Sequence, residues 1–337
     1  MNILRIGVIG TGLVFKYNHL PVLTQMSDKF KIVALCNRRA EKAQEIAKEQ
    51  SLNVDIYTDH HKMLRRSDID AVLVAVPIQF LSTITHDAIS EKKHVFQEKP
   101  ISENVKTGSQ IIAFAKQKNI VFMVGENFRY RPEFTQLHQL VKTGLVGTPK
   151  LYRLNDLHYT YPGGQWSQTP WRIEGKHDGG YLIDGGTHII AGMRETIKSN
   201  VILIHGLTTS FNPQLLSNQE DTLLLNLVFE SGLVGQMALG YGTIDPDARK
   251  PKIYGTEGTL VLNAAKKVIE LWPVAKNGQV QTFQINSAND FMLQWVDFYN
   301  AISVRKPMYS TPEDALLDLM ILDAGRKSAK AGKVIRL

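Results

Sequence analysis

Between residues 3 and 124 the chain repeats one pattern: a short β-branched apolar run, a turn, then a stretch with apolar positions at helical spacing. Strands are expected over 5–9, 31–36, 56–57, 71–76, 94–96 and 120–124. Several of these runs are apolar on consecutive residues, as suits strands covered on both faces of a parallel sheet. Between them, Ala40, Ala43, Ile46 and Ala47 mark a helix over 39–49, and Ile111, Ile112 and Ala115 mark one over 105–118. Alternating strand and helix over this length argues for a doubly wound α/β domain.

Beyond residue 125 the rhythm changes. A helix is expected over 132–142, with Pro132 at its start and Gly144 past its end. Longer alternating runs follow at 201–209, 222–229, 233–239, 252–254 and 259–262. Strands in succession without helices between them point to a large, mostly antiparallel open sheet. Gly144, Gly147, the pair Gly163-Gly164 and the pair Gly179-Gly180 punctuate the connections, and helices are expected over 291–304 and 312–329. The expected division is therefore 1–124, doubly wound α/β, and 125–337, α+β, with the final helix free to pack back on the first domain.

Composition narrows the classes without changing this picture. Of 337 residues 43% are apolar and 21% charged, which excludes disordered, collagenous and low-complexity chains. No stretch approaches the ~20 apolar residues of a membrane helix, so no membrane association is expected. The run 3–9 contains Arg5 and lacks a small-residue cleavage site, so it reads as a strand rather than a signal peptide. The single cysteine, Cys36, cannot form an internal disulfide, and a cytoplasmic setting is the expectation.

The net charge of +7 comes from 39 Lys+Arg against 32 Asp+Glu. Basic residues cluster only as pairs such as Arg38-Arg39, Arg65-Arg66 and Lys92-Lys93, with no aromatic-interleaved basic run, so nucleic acid is not an expected partner. A small anionic ligand accounts for the excess equally well. His60 and His61 are adjacent and expected to face apart, and with one cysteine no metal site is expected.

The first strand runs into Gly10-Thr11-Gly12-Leu13 and then a helical stretch. Gly10 permits a tight turn, and Gly12 lets backbone approach a pyrophosphate at the helix N-terminus, so this loop is a candidate dinucleotide site. The third fingerprint position is Phe15 instead of a small residue, so its ring must displace the helix or find its own pocket. At the end of the second strand a ribose 2′-hydroxyl wants an acid and a 2′-phosphate wants cations. Here Asn37, Arg38 and Arg39 follow Cys36, so NADP(H) is expected over NAD(H).

Two further segments carry candidate chemistry. Glu98-Lys99-Pro100 follows directly on the fifth strand, where open α/β sheets place their ligands, and a lysine there can bind a substrate oxygen. Asp184 and His188 are four apart and share one face of a helix, a spacing that lets a carboxylate orient an imidazole acting as general acid or base. An N-capping aspartate and a structural histidine would satisfy the same spacing.

Together these residues resemble the glucose–fructose oxidoreductase, inositol 2-dehydrogenase and rhizopine-catabolism (Gfo/Idh/MocA) family over essentially the whole chain. The resemblance rests on Gly10-x-Gly12, residues 94–100 ending in Glu98-Lys99-Pro100, residues 126–130, Trp171-Arg172, the segment from Gly179 to His188, and residues 254–260. It implies a Rossmann domain and a second domain whose open sheet builds a homodimer or homotetramer. It also implies hydride exchange between a nicotinamide and a carbon of a sugar, polyol or cyclitol. By the same resemblance Lys99 binds the reacting oxygen and helps place the nicotinamide, and His188 exchanges the proton. Asp184 orients substrate and imidazole, while Arg129, Tyr159, Trp171 and Arg172 line the substrate pocket. Pro77 and Glu98 join Gly10, Thr11, Gly12, Leu13, Asn37, Arg38, Arg39 and Lys99 as cofactor residues.

Three departures bear on the substrate. Phe15 replaces a small residue, Ala191 stands where an acid is frequent, and Phe80-Leu81 stand where the family often has Asn and His, making that rim more apolar. Three other readings stay open on the same scaffold: an NAD-assisted glycosidase without net redox, a reductase of a more apolar or aromatic substrate, and a non-catalytic ligand-binding regulator.

Overall fold

The computed structural model describes residues 3–161, 163–173, 180–212 and 220–337. Its contacts divide the chain into two units, Met1–Asn127 with Asn289–Leu317, and Phe128–Ala288 with Asp318–Leu337.

In the first unit six strands form one parallel sheet: β1 Leu4–Ile9, β2 Phe30–Cys36, β3 Asp55–Tyr57, β4 Ala71–Val74, β5 His94–Glu98 and β6 Phe122–Gly125. Their order is β3-β2-β1-β4-β5-β6, which reverses direction of travel between β1 and β4. Ligands of doubly wound sheets sit beyond the strand ends at such a reversal. β4 is buried along its whole length, as its unbroken Ala71-Val72-Leu73-Val74 run requires. Strand boundaries shift by one or two residues from the sequence reading, and two of the shifts bear on the site. β4 stops at Val74, and helix Ile78–Ser90 begins after Pro77. β5 runs on to Glu98 because Gln97 and Glu98 still pair with Val124 and Gly125 of β6.

The chain returns to this unit for helix Asp290–Ser303, a connection across the sequence that periodicity does not reveal. Aromatic packing fixes it there. Trp295 stacks on Phe96 with centroids 4.5 Å apart and meets Phe30 edge-on at 5.1 Å, and Phe298 meets Phe96 at 5.5 Å. Trp295 and Phe298 are fully buried, each a large hydrophobic contribution.

The second unit carries a nine-stranded mixed sheet: β7 Pro149–Leu157, β8 Val201–Thr209, β9 Thr222–Phe229, β10 Val234–Gly240, β11 Lys252–Gly255, β12 Gly258–Asn263, β13 Val268–Pro273, β14 Gln281–Gln284 and β15 Ile335–Arg336. Its order is β14-β13-β12-β11-β7-β10-β9-β8-β15. Only the β7–β10 pairing is parallel, so the expected antiparallel character holds. β7, β13, β14 and β15 are not among the expected strands; in β7 the alternation of buried Tyr152 and Leu154 is cut short by Asp156, a charged residue on the same buried face. Helices cover the sheet closely. A Cβ on Gly206 of β8 would lie 2.0 Å from the Gly325 carbonyl of helix Pro312–Ala331, so the two backbones touch only because Gly206 has no side chain. At Gly192 of helix Gly186–Ile197 the missing side chain instead makes room for a ring: a Cβ would lie 2.7 Å from the Phe134 ring of helix Pro132–Lys142.

Candidate functional site

The residues that can hold a dinucleotide converge at the carboxyl ends of β1 and β2. Gly10 sits at φ +97°, and a Cβ there would lie 2.2 Å from the Ala75 carbonyl oxygen, so only glycine serves. A Cβ on Gly12 would meet nothing within 4 Å: its backbone faces open space, the room a pyrophosphate needs. Asn37 ties the two loops together. Its Nδ2 donates to Thr11 Oγ1 at 2.7 Å, and its Oδ1 accepts from the Arg39 amide at 3.0 Å.

Phe15 finds its own pocket. It is fully buried, and the turn that carries it, Phe15–His19, is a π-helix instead of an α-helix. Such a widened turn within a helical stretch is rare and recurs at functional positions. Arg38 and Arg39 are exposed, and the Arg38 guanidinium lies over the Phe80 ring at 5.1 Å. Phe80 faces a cation of the cofactor loop and is 37% exposed, whereas Leu81 is fully buried, so of the two only Phe80 can present an apolar surface at this rim. Cys36, next to this loop, is 4% exposed, and burial pushes its thiol up to about 11 with help from Asp59. It stays neutral and adds no negative charge beside Arg38.

Lys99 is half-buried at the end of β5, and the Lys99–Pro100 peptide is cis. The chain around it is held by Gln97, which is fully buried. Gln97 Nε2 donates to the carbonyls of Glu98, Pro100 and Ile101 at 3.2, 2.9 and 2.9 Å, and its Oε1 accepts from Thr85 Oγ1 at 2.7 Å. Glu98 is buried and binds His19 Nε2 through Oε1 at 2.7 Å. Sequence reasoning missed Gln97 and His19, since neither lies in a recognisable spacing.

Asp184 and His188 belong to the second unit. They do not share one unbroken helix: helix Gly180–Asp184 ends at Asp184, and helix Gly186–Ile197 starts after Gly185. Gly185 keeps right-handed backbone angles, φ −88° and ψ −33°, so the four-residue spacing survives the break. A Cβ on Gly185 would lie 2.1 Å from the Tyr241 hydroxyl oxygen, which explains the glycine. Asp184 is 6% exposed and accepts from Arg172 Nε at 2.7 Å. Arg172 also lies over the Trp171 ring at 4.1 Å. His188 is half-buried and stacks on Phe128 at 4.8 Å.

The other expected pocket residues have partners of their own. Tyr159 accepts from Asn212 Nδ2 at 2.9 Å, and Tyr161 beside it is exposed. Arg129 is 3% exposed and pairs with Asp318, whose other oxygen takes Arg194 Nη1 at 2.9 Å. That charge is satisfied inside the unit. Gly179 lies outside the described residues. A polar cluster without sequence signal also appears. Buried Asp156 binds His158 Nδ1 at 3.2 Å and Arg249 Nε at 3.0 Å. Burial alone would raise the Asp156 carboxyl, but these two partners hold it below the usual range.

His60 and His61 overturn the expectation that they face apart. Their rings lie 4.1 Å from each other, and with Asp59 their ligand atoms fall within 4.8 Å. Asp87 Oδ2 meanwhile takes His60 Nε2 at 2.9 Å.

The model of an oxidoreductase family with an NAD-binding Rossmann fold matches residues 4–126, and that family's C-terminal alpha/beta domain matches residues 138–337. The chain belongs to the Gfo/Idh/MocA oxidoreductase family. Among its relatives, an uncharacterised protein of Saccharomyces cerevisiae is 26% identical over 100% of this chain and 99% of its own. A myo-inositol 2-dehydrogenase of Thermotoga maritima is 21% identical over 99% of this chain and 98% of its own. The crystal structure of a Thermotoga maritima oxidoreductase superposes with a TM-score of 0.91 at 28% identity, covering 99% of this chain and 98% of that one. Among the described residues of this family member, no helix is long and apolar enough to cross a membrane.

Proposed function

We propose that this family member is an NADP(H)-dependent oxidoreductase of a sugar, polyol or cyclitol, with NAD(H) the weaker cofactor. The observation that carries the cofactor reading is the loop geometry: Gly10 at φ +97°, open space at Gly12, and Asn37 bridging to Thr11 at 2.7 Å. The nicotinamide, when bound, supplies or accepts the hydride.

The chain's own residues do the rest. Thr11, Gly12 and Leu13 would receive the pyrophosphate on backbone N–H groups, with Gly10, whose own N–H goes to the Cys36 carbonyl at 2.9 Å, setting the turn, and Pro77 and Glu98 at the neighbouring strand ends. Arg38 and Arg39 are the groups for a 2′-phosphate: two exposed guanidiniums, one already held by Phe80, with no acid following β2 to bind a ribose hydroxyl instead. Lys99 holds the reacting oxygen and stabilises negative charge developing on it. His188 takes the hydroxyl proton in oxidation and returns it in reduction, a task suited to an imidazole near neutral pH. Asp184 keeps the substrate and imidazole oriented, and its carboxylate is itself fixed by Arg172 at 2.7 Å. Tyr159, Trp171 and Arg172 shape the pocket, and Arg129 supports it from inside the unit through Asp318. A cyclitol substrate is supported by one relative, a myo-inositol 2-dehydrogenase. We further propose the cytoplasm as its compartment, a homodimer or homotetramer built through the nine-stranded sheet as its assembly, and 1–124 and 125–337 as its domains.

The test is a tryptophan-fluorescence titration with NADPH and NADH, followed by a screen of polyols and sugars with the tighter cofactor. Selective NADPH binding that falls toward the NADH level in an Arg38→Ser, Arg39→Ser double variant supports the reading. Equal loss of both nucleotides in that variant refutes the 2′-phosphate assignment, and no turnover of any polyol or sugar refutes the substrate class.

A further inference from the structure

His19 sits in the widened turn Phe15–His19, fully buried, with no place in the reaction described above. Aromatic rings enclose it edge-on: Phe96 at 5.4 Å, Phe291 at 5.2 Å and Trp295 at 5.8 Å between centroids. Both of its nitrogens are engaged. Trp295 Nε1 lies 3.1 Å from Nδ1, and Glu98 Oε1 lies 2.7 Å from Nε2.

The indole decides the tautomer. A tryptophan Nε1–H only donates, so Nδ1 of His19 must accept and carries no proton. The ring hydrogen is then on Nε2, and His19 donates to Glu98. A doubly protonated imidazolium would set two N–H groups against each other at 3.1 Å in a site without water contact. The donor chain therefore runs one way, from Trp295 to His19 to Glu98, and Glu98 is the residue directly before Lys99.

We propose that His19 is a positioning residue: as a neutral Nε2–H tautomer fixed by Trp295, it anchors the Glu98 carboxyl and with it the conformation from which Lys99 meets the substrate. The backbone on both sides of Lys99 is already tied by Gln97 through the carbonyls of Glu98 and Pro100 at 3.2 and 2.9 Å. His19 fixes the Glu98 side chain at the same corner, 2.7 Å from its Oε1. Misplacing a group by about 1 Å through a residue that never touches substrate can cost up to ~10²-fold in rate. This inference rests on the proposed role of Lys99.

Three variants and one spectrum test it in the full-length chain. In His19→Gln the side-chain Nε2 lies as far along the chain as the imidazole Nε2 and still donates to Glu98; in His19→Leu the volume stays and the donor goes. Trp295→Phe keeps a ring on Phe96 and removes the indole N–H. The expected result is a kcat for His19→Leu about 10–10²-fold below wild type, with nucleotide Kd and substrate KM each within about threefold, and recovery of most of that loss in His19→Gln. In ¹⁵N-histidine spectra one buried ring, absent from His19→Leu, is expected as the neutral Nε2–H form, and in Trp295→Phe it is expected to lose that single form.

Equal kcat for wild type and His19→Leu overturns the proposal. So does equal impairment of His19→Leu and His19→Gln with a matching fall in melting temperature, which is what a purely structural ring would give. An Nδ1–H or imidazolium signal for this ring overturns it without any assay. A wild-type chain silent on every polyol and sugar refutes the reading of function instead, and in that case the nitrogen spectrum still decides whether His19 is the donor that anchors Glu98.

Discussion

Arg172 donates its Nε–H to the Asp184 carboxylate at 2.7 Å, and the two side chains are about nine-tenths buried, 12% and 9% exposed. The carboxylate assigned to orient the imidazole is thus itself oriented, by a guanidinium that also lies over Trp171 at 4.1 Å. On the proposed roles, Arg172 would position Asp184 as well as line the substrate pocket. A lysine cannot offer the planar, stacked donor that this geometry uses. Arg172→Lys is expected to lower kcat/KM about tenfold or more, and Arg172→Ala to destabilise the second unit by about 1–3 kcal/mol, the range for a hydrogen bond to a charged group. Steady-state kinetics and urea midpoints check the two halves; wild-type kinetics in Arg172→Lys would reduce the pair to a structural contact.

Lys99 and His188 make the sharpest kinetic prediction. Each is assigned to the reacting oxygen or its proton, where one group contributes roughly 10²–10⁴-fold. Lys99→Ala and His188→Ala are each expected to lower kcat by at least ~10²-fold. Nucleotide affinity should survive in His188→Ala, because the residues proposed to hold the nucleotide do not include His188. Near-native turnover in either variant would remove that residue's role.

The two glycines of the cofactor loop are predicted to fail differently. At Gly10 an alanine must adopt φ +97° with its Cβ 2.2 Å from the Ala75 carbonyl oxygen, so Gly10→Ala should cost about 2 kcal/mol or more of stability. At Gly12 the added methyl meets nothing within 4 Å, so Gly12→Ala should melt with wild type. Its methyl instead fills the approach left for a phosphate, and nucleotide affinity should fall about tenfold or more. Thermal melts and fluorescence titrations of both variants separate the two effects. A Gly12→Ala chain that binds nucleotide as wild type does would show that the loop's open face is not where the phosphates lie.

What could be read from the sequence followed local chemistry. Gly10 and Gly12 announce themselves because a tight turn after a buried strand has few solutions, and Pro132 with Gly144 brackets helix Pro132–Lys142 as expected. Phe15 was visible as an anomaly, but its resolution, a π-helical turn with the ring fully buried, depends on packing that no local pattern encodes. His19 and Trp295 lie 276 positions apart, and Arg129 and Asp318 lie 189 apart. Pairs of that kind arise only when the chain returns to an earlier unit. The Gln97 clamp was hidden for a different reason: an amide inside a strand ending reads as an ordinary polar residue until its three carbonyl partners are seen. His60 and His61 show the converse, an alternation rule defeated by two rings turning toward one aspartate, Asp87, at 2.9 and 3.8 Å.

Cys36 gives a prediction in pH. The thiol is 4% exposed at the end of β2, and burial, aided by the charge of Asp59, raises it to about 11. An unfolded chain releases the same proton at about 8.5. Between those values the unfolded state has lost a proton that the folded state keeps, so folding is favoured less as pH rises, and the loss is complete only above the folded value. Below about pH 8 the group contributes no pH dependence. Wild type is therefore expected to lose urea resistance between about pH 8.5 and 11 more steeply than Cys36→Ser, which has no thiol to titrate. Alkylation by iodoacetamide at pH 8 should be far slower than for a free thiol, because attack needs the thiolate. Rapid alkylation of the folded chain at pH 8, or identical pH profiles for wild type and Cys36→Ser, would mean that the thiol is not held neutral, and that the ground beside Arg38 is open to negative charge after all.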